Sequence, residues 1–422
     1  MGVIMRKLGC GLDFGTSNST FGIVQPGQEP QLIALELDKP TIPSVLFFNF
    51  ENDRTYFGRA AIEEYVTGAD GRMMRALKSI LGSSLMNDET RIKARRISFV
   101  EILGTFLSEI KTRAETEADT TLEQVVAGRP VHFVDDDEAA DKKAQNQLEA
   151  SIRAQGFKHI EFQFEPIAAA LDYERQINDE QLALVVDIGG GTSDFTIVRL
   201  SPDRSKTSDR QADILATAGV HVGGTDFDRL LSMSRVMPSL GLDTLVKSGN
   251  RALPKGPYYD LATWHRINRL YTRATMTELR ATRQEALHTE MVEKLIAIVE
   301  GRYGHLLASH VEEAKIDLTD RDDAALNFVT DTVSLHQIIT RDDLDATIMH
   351  EAARIPATIS KALKDAGLDA SDIQTLIMTG GSTQIPTVRN SFNQMFANAH
   401  FVETDAFGSV GLGLALDASR RF

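Results

Sequence analysis

The chain has 422 residues, 42% hydrophobic and 25% charged, which is enough apolar material for two cores of roughly 150–200 residues each. Its formal net charge of −15 is the wrong sign for wrapping nucleic acid by its phosphates or for lying on an anionic membrane, and no apolar run approaches the roughly 18 residues that span a bilayer. A single cysteine excludes an intrachain disulfide, and an N-terminal stretch too short for a secretory signal makes the cytoplasm the expected compartment.

Strand-like and helix-like segments alternate, the pattern of an α/β protein. Residues 8–24 read as two short strands joined by a tight Gly/Thr/Ser/Asn turn; Cys10, between Gly9 and Gly11, is expected in the core rather than as a nucleophile. Residues 41–48 form a strand entered through Pro43. Phe99, Ile102, Leu103, Phe106, Leu107 and Ile110 recur at helical spacing over 99–116. A mostly extended stretch over 122–133, a helix over 139–155 stopped by Gly156, a strand over 160–164 and a helix over 165–176 complete a first cycle. The run Asp135-Asp136-Asp137-Glu138 lies where negative charge favours a helix N-terminus and needs no metal.

A second cycle opens with a strand over 182–188, a tight turn over 189–194 and a return strand over 195–200. It echoes the unit at 12–24. In each, an Asp ends the first strand and a Gly-Thr pair turns the chain (Asp13 with Gly15 and Thr16, Asp187 with Gly191 and Thr192), which reads as an internal duplication of two lobes. Polar residues 201–213 are expected to form a surface loop and 238–257 to be irregular. A long helical stretch covers 261–311, and another covers 340–366 with a break at Pro356. His305 and His310 do not share a helix face, which argues against a metal pair. A strand over 375–378 leads into Gly380-Gly381-Ser382-Thr383, and 408–416 forms a closing helix.

Three turns carry the chemistry: Asp13-Phe14-Gly15-Thr16-Ser17-Asn18, Asp187-Ile188-Gly189-Gly190-Gly191-Thr192-Ser193-Asp194, and Gly380-Gly381-Ser382-Thr383. Glycine lets the backbone approach a phosphate, successive N–H groups form an anion-binding concavity, and Thr and Ser hydroxyls add hydrogen bonds. An Asp at each strand end suits a Mg2+ ion that keeps several waters between carboxylate and phosphate. None of the turns is followed by Gly-Lys-Ser/Thr, and the first two lead into strands, so neither a P-loop nor a dinucleotide fingerprint is present. Together they point to a nucleotide cleft between two lobes.

In these motifs the sequence resembles the ATPase domain of the DnaK family, the seventy-kilodalton heat-shock chaperones, over nearly the whole chain. The resemblance rests on residues 11–19, Thr41-Ile42-Pro43-Ser44-Val45, Gly58-Arg59-Ala60-Ala61, Glu165-Pro166-Ile167-Ala168-Ala169-Ala170, Asp187 to Asp194, Val222-Gly223-Gly224-Thr225-Asp226-Phe227-Asp228 and Gly380-Gly381-Ser382-Thr383-Gln384-Ile385-Pro386. Around Arg129-Pro130-Val131-His132-Phe133 and Phe162-Gln163-Phe164-Glu165-Pro166 it is similar to the short, divergent YegD-like bacterial members. The resemblance implies an actin-like ATPase (ribonuclease-H-like) fold: lobe I over 1–180, lobe II over 181–400 with a helical insertion over about 229–311, and a closing helix over 401–422 returning to lobe I.

It also implies roles. Asp13, Asp187 and Asp194 would organise hydrated Mg2+. Gly15, Thr16, Ser17, Asn18, Gly189, Gly190, Gly191, Thr192, Gly223 and Gly224 would hold the phosphates of ATP or ADP. Lys78 would position the attacking water, with Glu165 and Asp187 as its catalytic partners. Glu312, Lys315, Ile316 and Thr319 would face the ribose and base, and Gly380, Gly381, Ser382, Gln384 and Ile385 would line the adenosine pocket.

The sequence departs from the family in three places. Ile316 and Gln384 stand where two arginines would sandwich adenine, a loss of roughly 0.5–2 kcal/mol of stacking each. The stretch from Asp228 to Glu312 is longer than its counterpart; 254–275, with Tyr258, Tyr259 and Trp264, is expected to be a solvated helical insertion, the alternative being a partner surface. No client-binding domain is expected within these residues, so binding of clients in the DnaK manner is not expected of this chain alone. The resulting expectation is a slow Mg2+-dependent ATPase of chaperone type with an unidentified protein partner. The alternatives are a non-hydrolysing nucleotide switch and, last, a small-molecule kinase of the same superfamily.

Overall fold

The computed structural model describes residues 8–25, 27–134, 137–249, 251–403 and 408–422; Asp135 and Asp136 of the acidic run lie outside them, and Asp137 caps the helix Glu138–Ala154 by accepting from the Ala140 N–H at 2.9 Å.

Two antiparallel hairpins seed two sheets. Gly9–Phe14 pairs with Asn18–Val24, placing Asp13 opposite Thr20, and Gln181–Ile188 pairs with Ser193–Leu200, placing Asp187 opposite Asp194. The return strand takes in Ser193 and Asp194, which the sequence assigns to the turn. On its other edge each leading strand has a parallel neighbour, Gln124–Arg129 in the first sheet and Thr375–Thr379 in the second. A further parallel strand lies outside each, His159–Phe164 and His400–Glu403. Each return strand is flanked by antiparallel segments: Gln31–Leu32 and Thr41–Pro43 in one sheet, Ile214–Val220 in the other. The two sheets share one strand order and one set of directions, so the repeat of turn motifs marks a repeat of topology.

The sheets exchange helices. Glu165–Glu174 follows the last strand of the first sheet but packs on the second, burying Ile167, Ala169, Ala170 and Leu171 against Ala183, Val185, Val198 and Ile377. Ser409–Arg421, which runs five residues past the end read from sequence, follows the last strand of the second sheet and packs on the first. The two helices cross backbone to backbone: a Cβ at Gly413 would sit 1.9 Å from the Ala168 carbonyl oxygen. Only glycine permits that approach.

Between its antiparallel flank and its inner parallel strand each sheet carries an insertion. The first holds a three-stranded sheet (Arg54–Phe57, Val45–Asn49, Gly71–Arg75) and the helix Phe99–Ala118, whose Ile102, Leu103, Phe106, Leu107 and Ile110 enter the core. The expected strand over 41–48 is split at Ser44, which ties itself to the first turn through Ser17 O (2.8 Å) and Ser19 Oγ (2.9 Å), so its two halves join different sheets. The second insertion is mostly helical. Its expected run over 261–311 is four pieces, Trp264–Leu270, Arg273–Glu285, Thr289–Glu300 and Gly304–Asp320, the last two separated where Arg302 takes φ +55°. The 340–366 helix breaks at Ala353; Pro356 sits in the first turn of Arg354–Ala366, where no backbone donor is required.

Residues 201–213 form the expected surface segment of turns and two short 3-10 helices, but one anchored by buried charge. Arg210 and Glu174 have fully buried side chains, and the guanidinium donates to both Glu174 oxygens at 2.8 Å. Asp213, also buried, accepts from Arg210 and Arg204, while Glu174 accepts from the Ser201 N–H at 2.9 Å. The segment is pinned by this network to the C-terminal end of the helix Glu165–Glu174. Of the insertion aromatics, Tyr258 is buried in the core of the second half, and Tyr259 lies at the surface under the guanidinium groups of Arg229 and Arg266 (5.4 and 4.9 Å). Trp264 and the buried His305 pack against the Tyr65 ring of the first insertion, at 5.7 and 4.7 Å.

Candidate functional site

Three glycine turns meet where the sheets face each other. The Gly15 turn is so tight that a Cβ there would lie 2.1 Å from Asn18 O. Gly189 N–H donates to Thr192 O at 2.9 Å and closes the second turn. The Gly223–Gly224 segment lies against that turn: Gly224 N–H donates to Gly189 O (3.0 Å), and Thr225 donates to Gly190 O through both its N–H and its hydroxyl (2.7 Å each). Added Cβ atoms at Gly223, Gly224 and Gly190 would fall 2.6 Å from Gly190, 2.8 Å from Ser382 Oγ and 3.3 Å from Ser17 Oγ. Backbones and hydroxyls from both halves thus line one small volume, with Thr16, Ser17, Gly191 and Thr192 exposed to it and Asn18 half-buried.

Gly380 braces the floor. It has φ +80°, and a Cβ there would meet Ile188 O at 2.3 Å and Asp187 Oδ1 at 3.0 Å. Gly380→Ala is therefore expected to displace the second turn at a cost of about 1–3 kcal/mol, read as a lowered thermal midpoint and weakened nucleotide binding. Unchanged melting and binding would overturn this role.

One lysine faces a group of carboxylates. Lys78, at the end of the first insertion's small sheet, donates to Glu165 Oε1 at 2.5 Å; the two side chains are 9% and 21% exposed. Glu165 starts the crossing helix, 87 residues away in sequence. Burial, with Glu165 and Asp187 nearby, pushes the Asp13 carboxyl up to about 7 against the pull of Lys78. Burial, Asp194 and Glu165 push Asp187 up to about 6, although the residue as a whole is exposed. Burial opposes the charge on Lys78, but Glu165, Asp13 and Asp187 outweigh it and hold its pKa above the ordinary lysine value.

Both aspartates are raised in the folded state relative to the unfolded chain. Their contribution to stability is full below about pH 4 and is lost as pH rises through about 6–7. The nucleotide-free protein is expected to melt at progressively lower temperature between pH 5 and 7.5, and Asp13→Asn to flatten that slope; equal slopes in the two proteins would refute it.

The opposite wall is built on the helix Gly304–Asp320. Lys315, buried, pairs with Asp228 Oδ1 at 2.7 Å and donates to Gly224 O at 3.3 Å. Asp228 belongs to the Gly-Gly-x-Asp-Phe-Asp segment, yet sequence reasoning assigned it no role, because nothing local shows that Lys315 reaches it. Ile316 is 55% exposed and Glu312 is exposed beside it, while Thr319 caps back onto Ile316 O at 2.7 Å. Gln384 is exposed and accepts from Arg389 at 3.2 Å, and Gly381 and Ser382 face the same opening. Ile385 differs from expectation: its side chain is buried in the core.

A family model described as "Hsp70 protein" matches residues 9–236 and 299–419. The chain belongs to the Hsp70 family. That membership carries the actin-like ATPase fold, which the doubled sheet displays. Among similar proteins are chaperone protein HscA homologs of Haemophilus influenzae (strain PittGG) and Vibrio cholerae serotype O1 (strain M66-2), each 26% identical over 433 residues, and chaperone protein HscA of Pectobacterium atrosepticum, also 26% identical. In each case the match covers 98% of this chain and 58% of the relative, so the chain spans a little over half the length of the Hsp70 relatives it matches. The Hsp70 match leaves out residues 237–298, the core of the helical insertion. No helix among the described residues is long and apolar enough to cross a membrane.

The Hsp70 family implies Mg2+ with its nucleotide, and the donor set fits an ion held through water. Asp13, Glu165 and Asp187 share the Lys78 ammonium, Asp194 lies across the strand pair from Asp187, and among the described residues no three acidic, His or Cys side chains come close enough to ligate a metal directly. Magnesium characteristically keeps its waters in such sites.

Proposed function

We propose that this chain binds ATP between its two halves and hydrolyses it slowly, acting in the cytoplasm as the nucleotide-driven part of a chaperone of the short YegD-like type and passing its open or closed state to a protein partner. The observation that carries the reading is the Lys78–Glu165 pair standing where the glycine turns of both halves converge. Phosphoryl transfer to water requires positioning and charge stabilisation more than covalent help. The N–H groups of the second turn, with the Thr16, Ser17 and Thr192 hydroxyls, would cradle the phosphate oxygens. Lys78 keeps two donors beyond its bond to Glu165, one for a γ-phosphate oxygen and one to hold the attacking water. Bound Mg2+ would supply neutralisation of the phosphate charge, and Asp13, Asp187 and Asp194 would orient its waters.

A second reading, a switch that binds without turnover, is favoured by one observation: Ile316 and Gln384 are exposed on the base side, where the family stacks adenine. Single-turnover hydrolysis of γ-labelled ATP separates the two. Release of phosphate supports the ATPase; ATP bound but intact supports the switch; absence of binding overturns both.

A further inference from the structure

Away from the cleft, at the far end of the helix Glu165–Glu174, three parts of the chain meet around a recess of about 400 Å3 lined by Arg175, Pro202, Ser205, Lys206 and Arg420. Arg175 ends that helix, Ser205 and Lys206 lie in the short helix Arg204–Lys206, and Arg420 is in the last turn of Ser409–Arg421. Glu174, next to Arg175 in the chain, holds both the Ser201 N–H and the buried Arg210 guanidinium. Buried charge thus fixes where Ser205 and Lys206 stand relative to Arg175.

The charge on these walls is not balanced locally. All three ionisable residues that line the recess are cationic. Arg175 pairs with Asp172 at 2.8 Å and with Glu29, and Lys206 pairs with Asp203 at 3.1 Å, but these carboxylates are 55%, 75% and 95% exposed and none of them lines the recess. Arg420 donates to Ser205 O and makes no ion pair among the described residues, so most of its five donors are unused. Arg210 and Arg175 repel it, while Asp417 and Glu174 attract it without touching it. In a chain of net charge −15, like charges gathered on a concave wall oppose folding unless an anion joins them.

Two guanidinium forks and an ammonium, each from a different element, suit a group with oxygens in three directions. A phosphate has them, whereas a carboxylate offers two in one plane. The Pro202 ring and the arginine stems supply apolar wall, and the volume lies in the range of small-molecule sites, which leaves room for an organic body behind the phosphate.

We propose that this recess binds the phosphate group of a small phosphomonoester, with Arg175 and Arg420 gripping its oxygens and Lys206 adding charge at the mouth. The site is separate from the nucleotide cleft: Arg175 and Glu165 stand at opposite ends of one helix, ten residues or about 15 Å apart.

The test is titration calorimetry on the full chain, saturated with Mg2+ and a non-hydrolysable ATP analogue so that the cleft is filled, using inorganic phosphate and phenyl phosphate as probes. Both are expected to bind, phenyl phosphate about threefold or more tighter through its ring. Arg420→Gln is expected to weaken both by about tenfold or more. Lys206→Gln is expected to weaken them about threefold, an effect that salt removes. Lys361→Gln, exposed on the helix Arg354–Ala366, is expected to change nothing. No phosphate binding below about 10 mM, or equal binding by the parent and Arg420→Gln, overturns the site. Equal affinity for the two probes overturns the phosphomonoester in favour of the free ion. A chain that takes no ATP analogue overturns the nucleotide reading, and the difference between parent and Arg420→Gln still decides this one.

Discussion

Lys78→Ala is expected to lower the single-turnover rate of phosphate release by about 100- to 1000-fold while leaving ATP bound, the loss typical of removing one preorganised donor from a charge-developing site. The ammonium is nearly buried and held by Glu165, so its position costs nothing to organise when the reaction occurs. Removing it also leaves Asp13, Glu165 and Asp187 without their shared counter-charge, so the variant's apparent affinity for Mg2+ is expected to rise even as turnover falls. Arginine is a poor substitute, since its planar fork reaches further and cannot present a compact three-donor head. Phosphate release at the parental rate from Lys78→Ala would sink the ATPase reading; loss of ATP binding would make Lys78 a binding residue instead.

Glu174→Ala is expected to destabilise the protein by about 3–5 kcal/mol, because it strands the fully buried Arg210 guanidinium. The pair need not itself be stabilising: replacing both partners with apolar residues, as in Glu174→Leu with Arg210→Met, is expected to recover most of the loss. Urea unfolding of the two variants checks both statements. A cost below about 1 kcal/mol for the single change would mean that water reaches Arg210 and that the network is looser than its geometry.

The parts of the site legible in the sequence were those whose chemistry is local. Gly15, Gly189 to Gly191, Gly223, Gly224 and Gly380 announce close backbone approaches at their own positions, and strand-ending Asp13 and Asp187 sit beside them. What escaped were pairings across distance. Arg210 and Asp213 read as solvated because charge in a polar stretch usually is, and their buried partner Glu174 is 36 residues from Arg210 at the end of another helix. Trp264 read as part of a solvated insertion because its partner Tyr65 is some two hundred residues earlier. Ile385 read as a pocket residue by its place in a motif, whereas the turn Gly381–Gln384 rotates its side chain into the core. The long helix over 261–311 was broken by Arg302 at φ +55°, a conformation that an arginine does not advertise.

The ring contact between the two insertions sets an angular tolerance. Seen from Lys315, whose bond to Gly224 ties it to the second turn, His305 lies about 15 Å out along the helix axis. Dispersion contacts between rings lose a quarter to a half of their well depth within a gap of about 0.5–1 Å. At that radius the gap corresponds to a swing of only about two to four degrees. The two walls are consequently either in register or not, with little in between, and a partner that tilted the helix Gly304–Asp320 by a few degrees would be felt as an all-or-none event.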